Sequence, residues 1–158
     1  MSKHPMTVAG AERLRAELQQ LKTVERRAIS RALADARGHG DIAENADYDA
    51  AKERQGLIEA RIRDIEAKLA HANIVDPKSL DAGGKIVFGA TVDLEDLESS
   101  ARVSYQIVGD DEADARAGKI SVNSPIARAL IGKHAGETAE VEAPSGRREY
   151  EILAVRYV

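Results

Sequence analysis

Two carboxylates three residues apart, Asp41 and Glu44, stand in the stretch GHGDIAENADYDAAKE at residues 38–53. Gly38 and Gly40 precede them, and Asp47, Asp49 and Glu53 follow. Paired carboxylate oxygens on pliant backbone suit a hard divalent cation, or positioning and deprotonation of a water molecule. The same spacing suits plain helix capping. Asp41 would cap a helix and Glu44 would fall three places on, a pattern close to a capping box although that box uses Ser or Thr. Spacing alone leaves both uses open, and capping is the commoner one.

Other chemistries fit less well. A calcium loop counted from Asn45 puts Asp47 and Asp49 at its third and fifth positions, but Ala50 falls where the sharp turn needs glycine and Gly56 where a bidentate glutamate belongs. Gly132–Lys133 lacks the upstream glycine and the following Ser or Thr of a phosphate loop. His4, His39, His71 and His134 are scattered, with no His-x-x-x-His pair for zinc, and no cysteine is present. No nucleophile–base set stands out. By its residues alone the chain reads as a protein without an enzyme active site of its own.

The pair must be positioned by long helices. Residues 8–73 have helical character, with Thr7 as the expected N-cap. Leu14, Leu18 and Leu21 begin an apolar seam that continues through Glu25, Ala28 and Ala32. Ile58, Ile62, Ile65, Leu69 and Ala72 return it at heptad spacing. An antiparallel hairpin then sets Leu14 against Leu69, Leu18 against Ile65, Leu21 against Ile62, Ala28 against Gln55 and Ala32 against Ala51, with the turn at Asp41–Ile42. Alanines 28, 32, 36, 46, 50 and 51 predict a slender tip, roughly 40 Å from the base at about 1.5 Å per residue. The seam is filled by its own returning helix, so a monomer is expected.

NIVDPKSLDAGG, residues 73–84, closes this half. Beyond it the period changes. KIVFGATVDLED, ARVSYQIVG, ETAEVEAP and REYEILAVRYV alternate as strands. Ser124 and Pro125 open a short helix that Gly132 closes. The fold class is α+β.

The 158 residues carry a net charge of −4. Residues 1–75 contribute +1 and residues 76–158 contribute −5, so neither half has the basic excess that grips duplex nucleic acid. Tyr48, Phe88, Tyr105, Tyr150 and Tyr157 are too few for a base-stacking platform. The absence of cysteine, of a signal-like start and of a membrane-length apolar run points to a cytoplasmic protein with no membrane contact.

GDIAENADYDAAKE closely resembles the tip motif of the Gre factors, the bacterial transcript cleavage factors, and VGDDEAD…GKISVNSPIARALIGKHAGE resembles their C-terminal domain. The likeness extends over nearly the whole chain and favours the A branch of the family. It implies a coiled-coil domain over 1–76 with an acidic tip near 38–47, and an FKBP-like polymerase-docking domain over 77–158. It implies RNA polymerase as partner, entry through the secondary channel, and contact with the extruded RNA 3′ end. Asp41 and Glu44 would be the catalytic carboxylates, sharing Mg2+ with the polymerase and holding none tightly alone. Arg26, Arg27, Arg31, Arg37, Lys52 and Arg54 would form a basic patch toward RNA, although each suits ordinary surface pairing. Ser121, Asn123, Ser124 and Pro125 are candidates for docking. Ala43 stands where the family usually has serine, and Asp49 where histidine is common. Relatives that occupy the channel without stimulating cleavage are the chief rival reading. A proline isomerase and a plain coiled-coil adaptor are weaker ones, the former lacking an aromatic-lined site.

Overall fold

The computed structural model describes residues 4–39 and 42–158, apart from the side chains of residues 39 and 42–45. Strand β1 (His4–Thr7) leads into helix α1 (Val8–Gln20). Thr7 caps that helix as expected, its hydroxyl oxygen accepting the Gly10 N–H at 3.1 Å. A π-helical segment follows at Leu21–Glu25, then α2 (Arg26–His39) and α3 (Ile42–Ala70). The chain then forms β2 (Ala72–Val75), which pairs in parallel with β1.

The helical hairpin is held by a narrow apolar seam and by ion pairs along its flanks. Leu14, Ile62 and Ile65 are buried toward its base. Lys22–Glu66 and Arg26–Glu59 lie along one flank, each residue one place after a seam position, while Arg61–Glu17 and Arg54–Glu25 lie along the other. These pairs bracket the expected antiparallel register from both sides. The bidentate Glu17 carboxylate, and more weakly Asp64, hold the Arg61 guanidinium well above its ordinary pKa.

Toward the tip the seam differs from expectation. The buried residues of α2 are Ile29 and Leu33, packed with Ala51, Ala32, Tyr48 and Ile58, whereas Ala28 is exposed. The π segment is the reason. Its closing bond runs from Arg26 N–H to the Leu21 carbonyl, five residues back instead of four. That accommodates one extra residue and carries the seam from Glu25 to Ile29 instead of Ala28. The expected Ala28–Gln55 pairing is therefore not formed. Ala46 and Ala50 are exposed as well, and Tyr48 supplies the bulk that the alanine tip was expected to lack.

The second unit is a five-stranded sheet in the order β5-β4-β3-β7-β6, with one short helix. Its strands are β3 (Thr91–Asp96), β4 (Arg102–Val108), β5 (Lys119–Ser121), β6 (Thr138–Ala143) and β7 (Gly146–Arg156). All neighbours are antiparallel except β4 and β5. The strand expected from Lys85 begins only at Thr91, because Gly89 turns the chain at φ +91°. Helix α4 (Pro125–Leu130) starts on a Ser124 side chain that accepts the Ala127 N–H, with Pro125 in the first turn as expected. Ile86, Val92, Leu94, Ile107, Leu130 and Ile152 are completely or almost completely enclosed. By contacts this unit also takes in Met1–Ala11 and Ala72–Val158, leaving Glu12–His71 as the helical unit. The short strands β1 and β2 thus belong with the sheet, whereas the change of period at Pro77 drew the expected boundary after residue 76. Among the described residues, no helix is long and apolar enough to cross a membrane.

Candidate functional site

The acidic stretch spans the junction of α2 and α3. Asp41 lies outside the described residues, and so does the expected cap at that position. Glu44 falls within the first turn of α3, where negative charge complements the helix dipole. Directly behind this turn the two limbs are joined by a collar. The Arg37 guanidinium lies 5.7 Å from the centroid of the Tyr48 ring. A hydrogen bond from Arg37 lowers the pKa of the Tyr48 hydroxyl, with the Arg37 charge acting in the same direction. Tyr48 also packs on the Ile29, Leu33 and Ala51 cluster. One aromatic residue thereby couples both limbs a single turn beyond Glu44. The sequence carried this signal only as an isolated tyrosine within an acidic run.

The basic residues expected to face RNA are not equivalent. Arg26 holds Glu59 through two bonds, at 2.8 and 2.7 Å, which raises the arginine pKa and lowers that of the glutamate. Arg54 lies 3.8 Å from Glu25, and Arg37 is engaged with Tyr48. Lys52 donates a long bond of 3.4 Å to Gln55. Arg27 and Arg31 are exposed and form no ion pair among the described residues.

In the sheet unit, Ser121 and Asn123 are tied to a single carboxylate. The Ser121 hydroxyl donates to Asp110, and the Asn123 amide donates to both Asp110 oxygens at 3.2 and 3.0 Å. Ser124 is occupied in capping α4. Pro125 is exposed and borders a groove of about 320 Å3 that Ile126, Val141, Ala143, Pro144 and Tyr150 also line. Leu130 is fully buried and Ile126 partly so, which keeps both with the core. Among the described residues no group of three or more His, Cys, Asp or Glu side chains could hold a metal ion.

Two family models together span almost the whole chain. The one described as transcription elongation factor, N-terminal, matches residues 4–74, and the one described as transcription elongation factor, GreA/GreB, C-term, matches residues 81–157. The chain belongs to the GreA/GreB family of transcription elongation factors. Its similarity to the GreA branch is high. The transcription elongation factor GreA of Ralstonia nicotianae is 65% identical over 158 residues, covering 100% of both chains. That of Thioalkalivibrio sulfidiphilus is 62% identical, again over 100% of both. The crystal structure of GreA factor homolog 1 from Thermus thermophilus is 32% identical, covers 98% of this chain and 99% of its own, and has a TM-score of 0.43.

In this GreA/GreB chain the two family models meet between residues 74 and 81, near the expected boundary, while the contacts divide the chain at Ala11 and Ala72. The difference lies in β1, the start of α1 and β2. They belong to the N-terminal family model by sequence and to the sheet unit by packing. Of the two departures from the usual Gre tip motif, Asp49 is exposed on α3. Ala43 lies among the residues whose side chains are not described.

Proposed function

We infer that this elongation factor binds RNA polymerase and stimulates the polymerase's own endonucleolytic cleavage of backtracked nascent RNA. It acts by lending two carboxylates and is not an enzyme by itself. The observation that carries this reading is the Asp41–Glu44 pair at the helical turn of a GreA/GreB chain. Carboxylate oxygens are the donors that Mg2+ prefers, but two residues fall short of its six-coordinate shell. Asp41 and Glu44 therefore suit a site shared with polymerase carboxylates and RNA phosphate. When bound there, the ion would activate water for in-line attack on the RNA phosphodiester. One carboxylate of the pair would hold the ion while the other orients the water or takes its proton.

The remainder of the molecule is consistent with that role. The Arg37–Tyr48 collar steadies the limbs behind the acidic turn. Arg27 and Arg31 leave positive charge available for the extruded RNA. The groove beside Pro125 offers an apolar seat for a polymerase element, and Asp110 holds Ser121 and Asn123 in place a few residues before it in the chain. In this reading the sheet unit docks, outside any membrane, and the hairpin enters the secondary channel as a monomer.

The test uses stalled, backtracked polymerase carrying 5′-labelled RNA. The unaltered protein should shorten the RNA from its 3′ end. Asp41→Ala and Glu44→Ala should bind and remain helical yet fail to stimulate. Binding without any shortening by the unaltered protein would leave a channel-occupying regulator as the function. A magnesium titration of the free protein gives a second check, since a micromolar site on the isolated chain would contradict a shared one.

A further inference from the structure

One buried carboxylate serves neither the tip nor the groove. Glu112 lies in a short 3-10 turn after β4 and is only 5% exposed. It has no cationic partner among the described residues. Instead it accepts hydrogen bonds from the Thr7 amide at 2.9 Å, from the Thr7 hydroxyl, and from the Gly109 amide at 3.2 Å. Thr7 is itself the cap of α1, through the Gly10 N–H. The carboxylate is thus bound to the residue that starts the first long helix.

Both glycines at this junction are required by space. A Cβ on Gly10 would overlap the Glu112 side chain, and a Cβ on Gly109 would come within 2.5 Å of the Pro5 carbonyl oxygen. A buried carboxylate with no cation is costly unless its oxygens are fully engaged, and here the engagement is entirely with the start of α1 and the Gly109 turn. Loss of this contact would free the helix start while leaving Asp41, Glu44, Pro125 and Asn123 chemically intact.

We propose that Glu112 is a positioning residue for transcript cleavage, a buried fastening that fixes the start of α1 to the sheet unit so that the acidic turn is delivered accurately. This rests on the cleavage reading above. Catalysis that depends on placed ligands is sensitive to small displacements, because an error of about 1 Å introduced far from the chemistry can cost on the order of a hundredfold in rate.

The experiment compares the full chain with Glu112→Ala, Gly10→Ala and Glu112→Gln on backtracked polymerase, measuring polymerase affinity and the cleavage rate at saturating factor separately. Gly10→Ala attacks the fastening from the opposite side. Alanine is the better helix former, so any loss it causes does not come from a weaker helix. Glu112→Gln keeps an oxygen for the two amides and an N–H2 group that can donate to the Thr7 hydroxyl, and it should rescue most of the rate. Glu112→Ala and Gly10→Ala should lose roughly ten- to a hundredfold at saturation with affinity within about twofold of the unaltered protein. Equal saturating rates in all four proteins would overturn the proposal. So would a rate loss matched by an equal loss of affinity, which would make Glu112 part of docking. Failure of the unaltered protein to stimulate cleavage would instead refute the cleavage reading, and is seen before any variant is compared.

Discussion

The hairpin and the sheet unit bury their apolar residues in different ways. In the hairpin, Leu14, Ile29, Leu33, Ala51, Ile62 and Ile65 form a single file, and ion pairs cross its flanks on both sides. In the sheet unit, Val92, Leu94, Ile107, Leu130 and Ile152 converge from four elements on one interior. A file of side chains can be extended to any length without growing wider, so it suits an element that must carry groups far into a narrow space. A convergent core cannot be drawn out in that way, but each of its residues is enclosed on every side, which suits a platform.

The sharpest test of this division removes chemistry without removing packing. Asp41→Asn and Glu44→Gln should each lower stimulated cleavage by about a hundredfold or more, since carboxylate–metal stabilisation is worth several kcal/mol. Thermal melting should scarcely move. A large drop in melting temperature would mean the acidic pair belongs to the hairpin's structure and not to its function.

Packing changes come next. Leu130→Ala in the sheet should cost about 3–5 kcal/mol, and Ile65→Ala in the hairpin about 2–3 kcal/mol, because two exposed limbs can close around a gap more readily than an enclosed core. Denaturation followed by helical circular dichroism and by tyrosine fluorescence checks both. Equal costs would erase the distinction between file and core. A smaller effect is expected at the flanks. A double-mutant cycle on Glu17→Gln and Arg61→Met should give a coupling of about 0.5–1 kcal/mol that weakens with added salt.

The smallest effect concerns acid. Bonds from Arg156, and then from Ser104, hold the Asp93 carboxyl below the usual aspartate range. A depressed native pKa stabilises the fold above the unfolded-state value of about 3.9 and loses that contribution as pH falls through the native one. Asp93→Asn should therefore lower sheet stability slightly at neutral pH and flatten its acid limb below about pH 4, so that the two proteins converge in strong acid. An unaltered acid limb would show that the Arg156 contact is too solvated to matter.

The hairpin was legible because its heptads extend over many turns, and the flanking ion pairs fall on both sides of the register read from them. Ile29 and Leu33 were missed, with Ala28 and Ala32 read onto the seam instead, because a π turn inserts a residue without any change in composition. The β1–β2 pair was hidden by its brevity. Four-residue strands joined in parallel across the whole hairpin leave no alternation to read. β5 is shorter still. At the site, Asp41 and Glu44 could be singled out by type and spacing, but the use proposed for them rests on resemblance and family membership. Glu112 was not legible at all. Within Asp110-Asp111-Glu112 it looks like a solvated acid, and only the folded chain brings Thr7 and Gly10 to it.

The five-residue π segment also sets a rule for how this limb tolerates changes of length. Each residue of an α-helix turns the chain by about 100°, so removing one from α2, such as Ser30, would rotate Arg37 away from Tyr48 and turn the acidic end to a new bearing. Removing one from Leu21–Glu25 should let that segment relax to ordinary α-helix and return the remainder to its former bearing. Among the described residues the limb thus carries a spare residue at one place, Leu21–Glu25. Deletion there should be nearly silent in cleavage, while the same deletion a turn or two further on should abolish it.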